Sequence, residues 1–369
     1  HCLNKGYPTG AMEMKSQREI HRVSPACVIP DLAGEITAAL VGTGPALGLG
    51  EVRSTSAPSK IALVIGTSGT TGMSKEVAFT ASALLASARA SNKFLGAKAG
   101  QQWSLFLPLT HIAAVNVIIR SMELGTLPID LREHQGEYPK VDFTSIVPTQ
   151  LFRALNSDER LLRHLQSAQA VLVGGAALSP ALSQQAVTAG INVVETYGMT
   201  ETSGGCIYNG KAIEGVEYSL NDKSLVQIRG SVMSETYLNA PELYTLIDGW
   251  FITNDLGEIK DGKLHILGRA DDVIISGGEN LSLTAIEATL SIRYPEIEFA
   301  AFAVNDIQWG HALHLAVVGQ IGESEIDQYL EAALGAASKP KGIHHLEQLP
   351  LLGIGKVDRS ALAKMVGNE

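Results

Sequence analysis

The chain has 369 residues, 45% hydrophobic and 18% charged, which is apolar enough for dry cores and too sparsely charged for a disordered chain. That length exceeds one small core and suits one large domain with a smaller companion. With 28 Lys and Arg against 38 Asp and Glu, the formal charge is -10, and no basic run is long enough to track a nucleic-acid backbone or an anionic membrane.

The first 24 or so residues lack an initiating Met and show no clear periodicity, which fits a poorly ordered start or an appended tag; no function is placed there. From Ile61, apolar runs alternate with amphipathic segments: IALVIG, ASALLASARASNKF, WSLFLPL, IAAVNVIIRSMEL, DFTSIVP, QAVLVGG and INVVETYG. Beta-branched runs followed by helical segments predict an α/β fold with parallel strands, crossover helices and ligand loops beyond the strands' carboxyl ends. The longest uncharged stretch, 103–119, carries Ser104, Pro108, Thr110, His111 and Asn116, so it reads as strand, loop and helix rather than a membrane span. Between residues 205 and 268, short alternating runs broken by Asn-Gly, Asn-Asp and two Asp-Gly pairs predict hairpins and a small β-barrel-like part. A compact α+β pattern follows and ends in the Gly-rich loop before Lys356. This change of texture sets the boundaries: a large mixed α/β domain over 1–268, a hinge at 269–271 and a small domain over 272–369. In the small domain, Thr284 with Glu287 fits a helix capping box.

Cys2, Cys27 and Cys206 have neither the number of a disulfide framework nor the paired spacing of a zinc site, and no secretory signal is visible, which predicts a reducing cytoplasm. Oligomeric state is left open, homo-oligomer included. Because the net charge is negative, anionic ligands must be held locally, and Lys75, Arg120, Arg269 and Lys356 are the cations to follow. TSGTTGMSKEV, residues 67–77, directly follows IALVIG. There Gly69 and Gly72 leave room for backbone amides and the hydroxyls of Thr67, Ser68, Thr70 and Thr71 to wrap a polyphosphate, and Lys75 adds charge. The spacing is not that of a P-loop NTPase, and the plainer alternative is a surface loop. In YGMTET, 197–202, Tyr197 offers an aromatic face, Thr200 a hydroxyl and Glu201 a hard carboxylate oxygen; a core Tyr and a helix cap would read the same.

Taken in order, these segments resemble the signatures of the adenylate-forming (acyl-CoA synthetase, AMP-binding) superfamily. The resemblance implies a mobile small domain and ATP, Mg²⁺ and coenzyme A as co-substrates. It makes 67–77 the phosphate loop and sets Gly174 and Gly175 of VGGAAL beside adenine. It stacks Tyr197, next to Gly198, on the base, gives Thr200 the α-phosphate and gives Glu201 the metal. Asp255 in GWFITNDLGEI then binds the ribose hydroxyls, Arg269 the ribose and phosphate, and Asp271 is the hinge pivot. Gly277 and Gly278 line a pantetheine channel, and Lys356 is the catalytic cation that offsets repulsion between carboxylate and α-phosphate.

FLPLTHIAAVNVIIRSMELGT, SIVPTQL and YGMTETSGGCIYNG further resemble the o-succinylbenzoyl-CoA synthetases of menaquinone synthesis, in particular their short actinobacterial kind. On that likeness His111 is a pocket histidine, Arg120 and Ser145 meet the succinyl carboxylate, and Gly204 and Gly205 border the acid. Arg120 could equally pair with Glu123 on a helix surface, and His111 could be a satisfied buried imidazole. Another aryl or acyl acid:CoA ligase, a carrier-protein-loading enzyme and a non-catalytic nucleotide-binding module are the rivals. Four positions depart from the superfamily pattern: Ser74, Glu76, Asn209 and Asn254. A carboxylate aimed into a phosphate loop would repel ATP, so Glu76 is expected to point outward or pair with a cation.

Overall fold

The computed structural model describes residues 17–67, 74–276, 278–306, 310–352 and 356–366. Three parallel strands, Gln17–Arg22, Ala46–Leu49 and Ile61–Thr67, form the middle of a six-stranded sheet. The first of them lies inside the stretch given no periodicity in the sequence, so order begins at least as early as Gln17. Lys75–Thr80 returns antiparallel to Ile61–Thr67. The apolar pattern leads from IALVIG straight to a helix and does not predict this strand, although EVAF is a short buried run of the kind a sheet takes. Thr80 then caps helix Ala81–Phe94, its side chain accepting from the Ala83 amide.

The second sheet has seven strands, among them the expected parallel set Val193–Met199, Ala170–Val173, Phe143–Ile146 and Trp103–Leu105, with the unforeseen Ile129–Asp130 parallel at one edge. Gly204–Tyr208 and Lys211–Ala212 extend it antiparallel. Helices Ala81–Phe94 and Ile112–Glu123 join the two sheets in one core that includes Leu63, Phe79, Val115, Ile119, Trp103 and Phe143. Burying each such side chain contributes about 1.5–3 kcal/mol, so this layered core is the frame that fixes the loops above it.

Residues 216–269 form the expected hairpins, in a five-stranded antiparallel sheet with bulges in Leu225–Gly230 and Trp250–Lys260. Their turns obey the local chemistry read from sequence: at Asp248-Gly249 and Asp261-Gly262 both residues have positive φ, as does Asn209-Gly210 before them.

The last sheet pairs Val273–Ser276 with Glu279–Ser282 and Gly310–Val318, which in turn pairs with Glu298–Asp306 and Gly342–His345. It has its own core: Phe299, Ala301, Leu313 and Leu315 face helices Leu283–Arg293 and Glu323–Leu334, while Ala300, Phe302 and Ala316 pack against Leu362 of helix Arg359–Val366. Alternate residues of one strand thus serve two helical layers. The capping box at Thr284 and Glu287 does not form. Ser282 is the cap, accepting from the Ala285 amide at 3.2 Å, because the helix starts two residues earlier than the motif requires. No described helix is long and apolar enough to cross a membrane.

Candidate active site

A cavity of about 330 Å³ opens where the carboxyl ends of the parallel strands meet the amino end of helix Ile112–Glu123. That volume suits a small-molecule site. Thr67, His111, Arg120, Ser145, Gly174, Gly175, Gly198, Thr200, Glu201, Gly204 and Gly205 all border it, so eleven of the residues singled out in the sequence converge there. Close packing explains the glycines: a Cβ on Gly174 would strike the Thr196 hydroxyl, and one on Gly198 the Gly204 carbonyl. Ser68, Gly69, Thr70, Thr71, Gly72 and Gly277 lie outside the described residues.

The deep end of the cavity is polar and incompletely paired. Arg120, 4% exposed, donates one hydrogen bond to the Tyr208 hydroxyl at 3.0 Å and lies 5.3 Å from the Trp103 ring centroid. Among the described residues its Nε has no partner, nor do Ser145 Oγ and Asn116 Oδ1, and all three are buried. Glu123, the alternative partner, is engaged instead by Arg89. An unpaired buried cation and orphan polar atoms are costly, and their gathering in one cavity leaves hydrogen-bonding capacity for a ligand. The sequence marks Asn116 only as a polar break in an uncharged stretch and not as a site residue, yet a lone amide inside IAAVNVII, one turn before Arg120, marks the same helix face. Its amide nitrogen donates to the Ser203 carbonyl at 2.6 Å. Tyr208 carried no sequence signal; only the fold brings it to Arg120.

His111 precedes that helix and has no side-chain hydrogen bond among the described residues, so it is not a satisfied core histidine. Burial pushes its imidazole below the ordinary value, favouring the neutral form.

Two further clusters adjoin the cavity. Glu201 accepts from the Tyr237 hydroxyl at 2.6 Å, and Lys75 Nζ stands 4.7 Å over the same ring. Burial, reinforced by the Glu201 charge, raises the Tyr237 phenol, which stays a proton donor. In the second, the Tyr197 hydroxyl donates to Asp255 Oδ2 at 2.6 Å, and Arg269 Nη1 lies 3.5 Å from Oδ1. Again burial leads, and Asp255 adds to, a rise in the Tyr197 phenol.

Glu76 departs from expectation. It is 2% exposed and has no cationic partner among the described residues; Oε1 accepts from the Arg53 amide at 2.6 Å and the Ser54 amide at 3.2 Å. Strand alternation puts it on the face opposite Lys75, and backbone amides hold the carboxylate where a cation was anticipated.

Asp271 belongs to the short turn Ala270–Asp272, Gly278 is an exposed turn residue with φ +89°, and Lys356 lies in strand Lys356–Val357. The side chains of Asp271 and Lys356 are outside the described set.

Residues 12–235 match the family described as AMP-binding enzyme. A Mycobacterium tuberculosis protein named "Probable 2-succinylbenzoate--CoA ligase" is 36% identical over 333 residues, 84% of this chain and 85% of that protein. The o-succinylbenzoate CoA synthetase MenE from Bacillus subtilis, solved with AMP, superposes with a TM-score of 0.71 at 24% identity, covering 85% of this chain and 71% of that one. E. coli MenE, solved with a phenylether-linked analogue of OSB-AMS, gives 0.66 at 26% identity, covering 94% of this chain and 82% of that one. A family match over more than half the chain, together with a relative at that identity and coverage, leads to one conclusion: the chain belongs to the AMP-binding enzyme family.

Proposed function

We propose that the protein is an ATP-dependent acid:CoA ligase that converts o-succinylbenzoate to o-succinylbenzoyl-CoA for menaquinone synthesis. The observation that carries this is Arg120, a cation with no carboxylate partner among the described residues, which lines the same cavity as the unpaired Ser145 Oγ. A diacid has one carboxylate to react and one to be held, and a guanidinium fork is the side chain best shaped to hold it. The named relatives support the same substrate.

In the first half-reaction, one carboxylate oxygen attacks the α-phosphorus of ATP and pyrophosphate leaves. In the second, the CoA thiol attacks the acyl carbonyl and AMP leaves. Thr67, Lys75 and residues 68–72 would hold the phosphates, Thr200 the α-phosphate, and Gly174 and Gly175 the adenine edge. Tyr197 would face the base, while Asp255, already braced by Tyr197 and Arg269, would accept from the ribose hydroxyls. Mg²⁺ takes few protein ligands and completes its shell with phosphate and water; Glu201, with one oxygen on Tyr237 and no cation partner among the described residues, fits that need. When bound, the ion would neutralise charge on the phosphates. His111, neutral, would border the aromatic ring. Lys356 would supply the cation for adenylation, and rotation of 272–369 about 269–271 would exchange it for Gly277 and Gly278 beside pantetheine. Cytoplasmic residence belongs to the same proposal, in keeping with the free Cys27 and Cys206.

A pyrophosphate-release assay with ATP, Mg²⁺ and a panel of acids, with and without CoA, tests this. Turnover of o-succinylbenzoate well above benzoate is expected; preference for a plain benzoate would displace the substrate, and no turnover of any acid would leave a binding module.

A further inference from the structure

A lysine that acts only in one domain orientation must be rigidly joined to the pivot that sets the orientation. Asp272 directly follows the hinge segment, whereas Lys356 lies 84 positions later in the chain (356 minus 272). The residue that connects them is Arg359. Its Nη2 donates to both oxygens of Glu287 at 2.9 and 3.0 Å, its Nε to the Ala301 carbonyl at 2.9 Å, and its Nη1 lies 3.5 Å from Asp272 Oδ2. Glu287 Oε1 also accepts from the Ala301 amide at 2.8 Å. These partners sit on helix Leu283–Arg293, strand Glu298–Asp306 and turn Ala270–Asp272, so a single guanidinium ties three elements.

Its own backbone is equally held. Arg359 opens helix Arg359–Val366, where the Asp358 carboxylate accepts from the Ala361 amide at 2.9 Å and Leu362 is buried on the sheet. The Asp358 amide donates to the Pro350 carbonyl at 2.8 Å, and Lys356–Val357 pairs with Leu351–Leu352. Only two residues separate Arg359 from Lys356.

We propose that Arg359 is a positioning residue for adenylation: it locks the segment carrying Lys356 to the turn beside the pivot, so that rotation at 269–271 delivers the lysine as part of one rigid body. This rests on the reading of Lys356 given above. A planar fork is required because no ammonium can make these four contacts at once. A displacement of about 1 Å at a reacting centre costs on the order of a hundredfold in rate.

The test compares Arg359→Gln, Arg359→Lys and Lys356→Ala in the full chain, in two assays: adenylation by ATP–pyrophosphate exchange, and thioester formation from supplied acyl-adenylate and CoA. Arg359→Gln should lower adenylation kcat by roughly ten- to a hundredfold with KM for ATP and acid within about twofold, and leave the thioester step within about threefold. Arg359→Lys, which keeps the charge and the stem packing, should show the same split at smaller amplitude. Glu287→Gln should mimic it, and adding Arg359→Gln should cost little more, as expected of one network. Unchanged adenylation in both Arg359 variants while Lys356→Ala is crippled would overturn the inference. Equal loss in both half-reactions would overturn it too, since that marks a residue that merely holds the fold. If Lys356→Ala itself leaves adenylation intact, the functional reading of the lysine has failed, and this inference with it.

Discussion

Two arginines, neither freely exposed, define opposite uses of charge in this molecule. Arg359 has an exposure of 22% and is saturated: two carboxylates and a carbonyl satisfy its fork. Arg120 is deeper and unsaturated, with a phenol and an indole ring for company and Nε left bare. Removing a charge from water costs several kcal/mol per ion, and only good partners offset that. A fold that meets this need at Arg359 and leaves it unmet at Arg120 has reserved the second site for something else, and its chemistry names an anion.

The comparison breaks or sharpens through substitution. The largest effect is expected at the cavity: Arg120→Ala should raise KM for o-succinylbenzoate by about a hundredfold, near 3 kcal/mol, while sparing KM for ATP. With a monocarboxylic analogue the same variant should change little. An unchanged KM for the diacid would remove Arg120 from the site. Next comes stability. Arg359→Met strands Glu287 without its cation and should cost about 3 kcal/mol in urea unfolding, whereas Arg120→Met should be neutral or stabilising, since no carboxylate is left behind. Equal losses would erase the distinction between the two arginines. Smaller again is Tyr208→Phe, which removes one hydrogen bond that orients Arg120; a loss of about 1 kcal/mol, a few-fold in KM for the diacid alone, is expected.

How much of this was legible in the sequence depended on range. Local chemistry read well: Asp248-Gly249 and Asp261-Gly262 form the turns that their composition demands. The parallel strands over 103–199 were visible as apolar runs, and His111, Arg120 and Ser145 do meet in one cavity. What failed was partner choice. Glu76 found the Arg53 and Ser54 amides 23 and 22 residues upstream, and Glu287 found Arg359 rather than a cap. Tyr208 and Tyr237 became site residues through contacts 88 and 36 residues away in the chain. A pattern shows a side chain's type and its face, but a long-range partner is set by how sheets stack.

The smallest effect concerns protons. His111 is held below its ordinary value by burial, and so, with burial again the leading cause, are His164 and His314. Between those lowered values and about 6.5, the unfolded chain binds protons that the folded chain refuses. Stability is therefore intact above about pH 6.5 and declines as the pH falls through that window. His111→Gln removes one contributor to the slope, so between about pH 7.5 and 5.5 its urea midpoint should fall less than that of the unmodified protein. Parallel declines would mean that the imidazole lining the cavity is not kept neutral by its surroundings, and the picture of His111 as an uncharged wall for an aromatic ring would go with it.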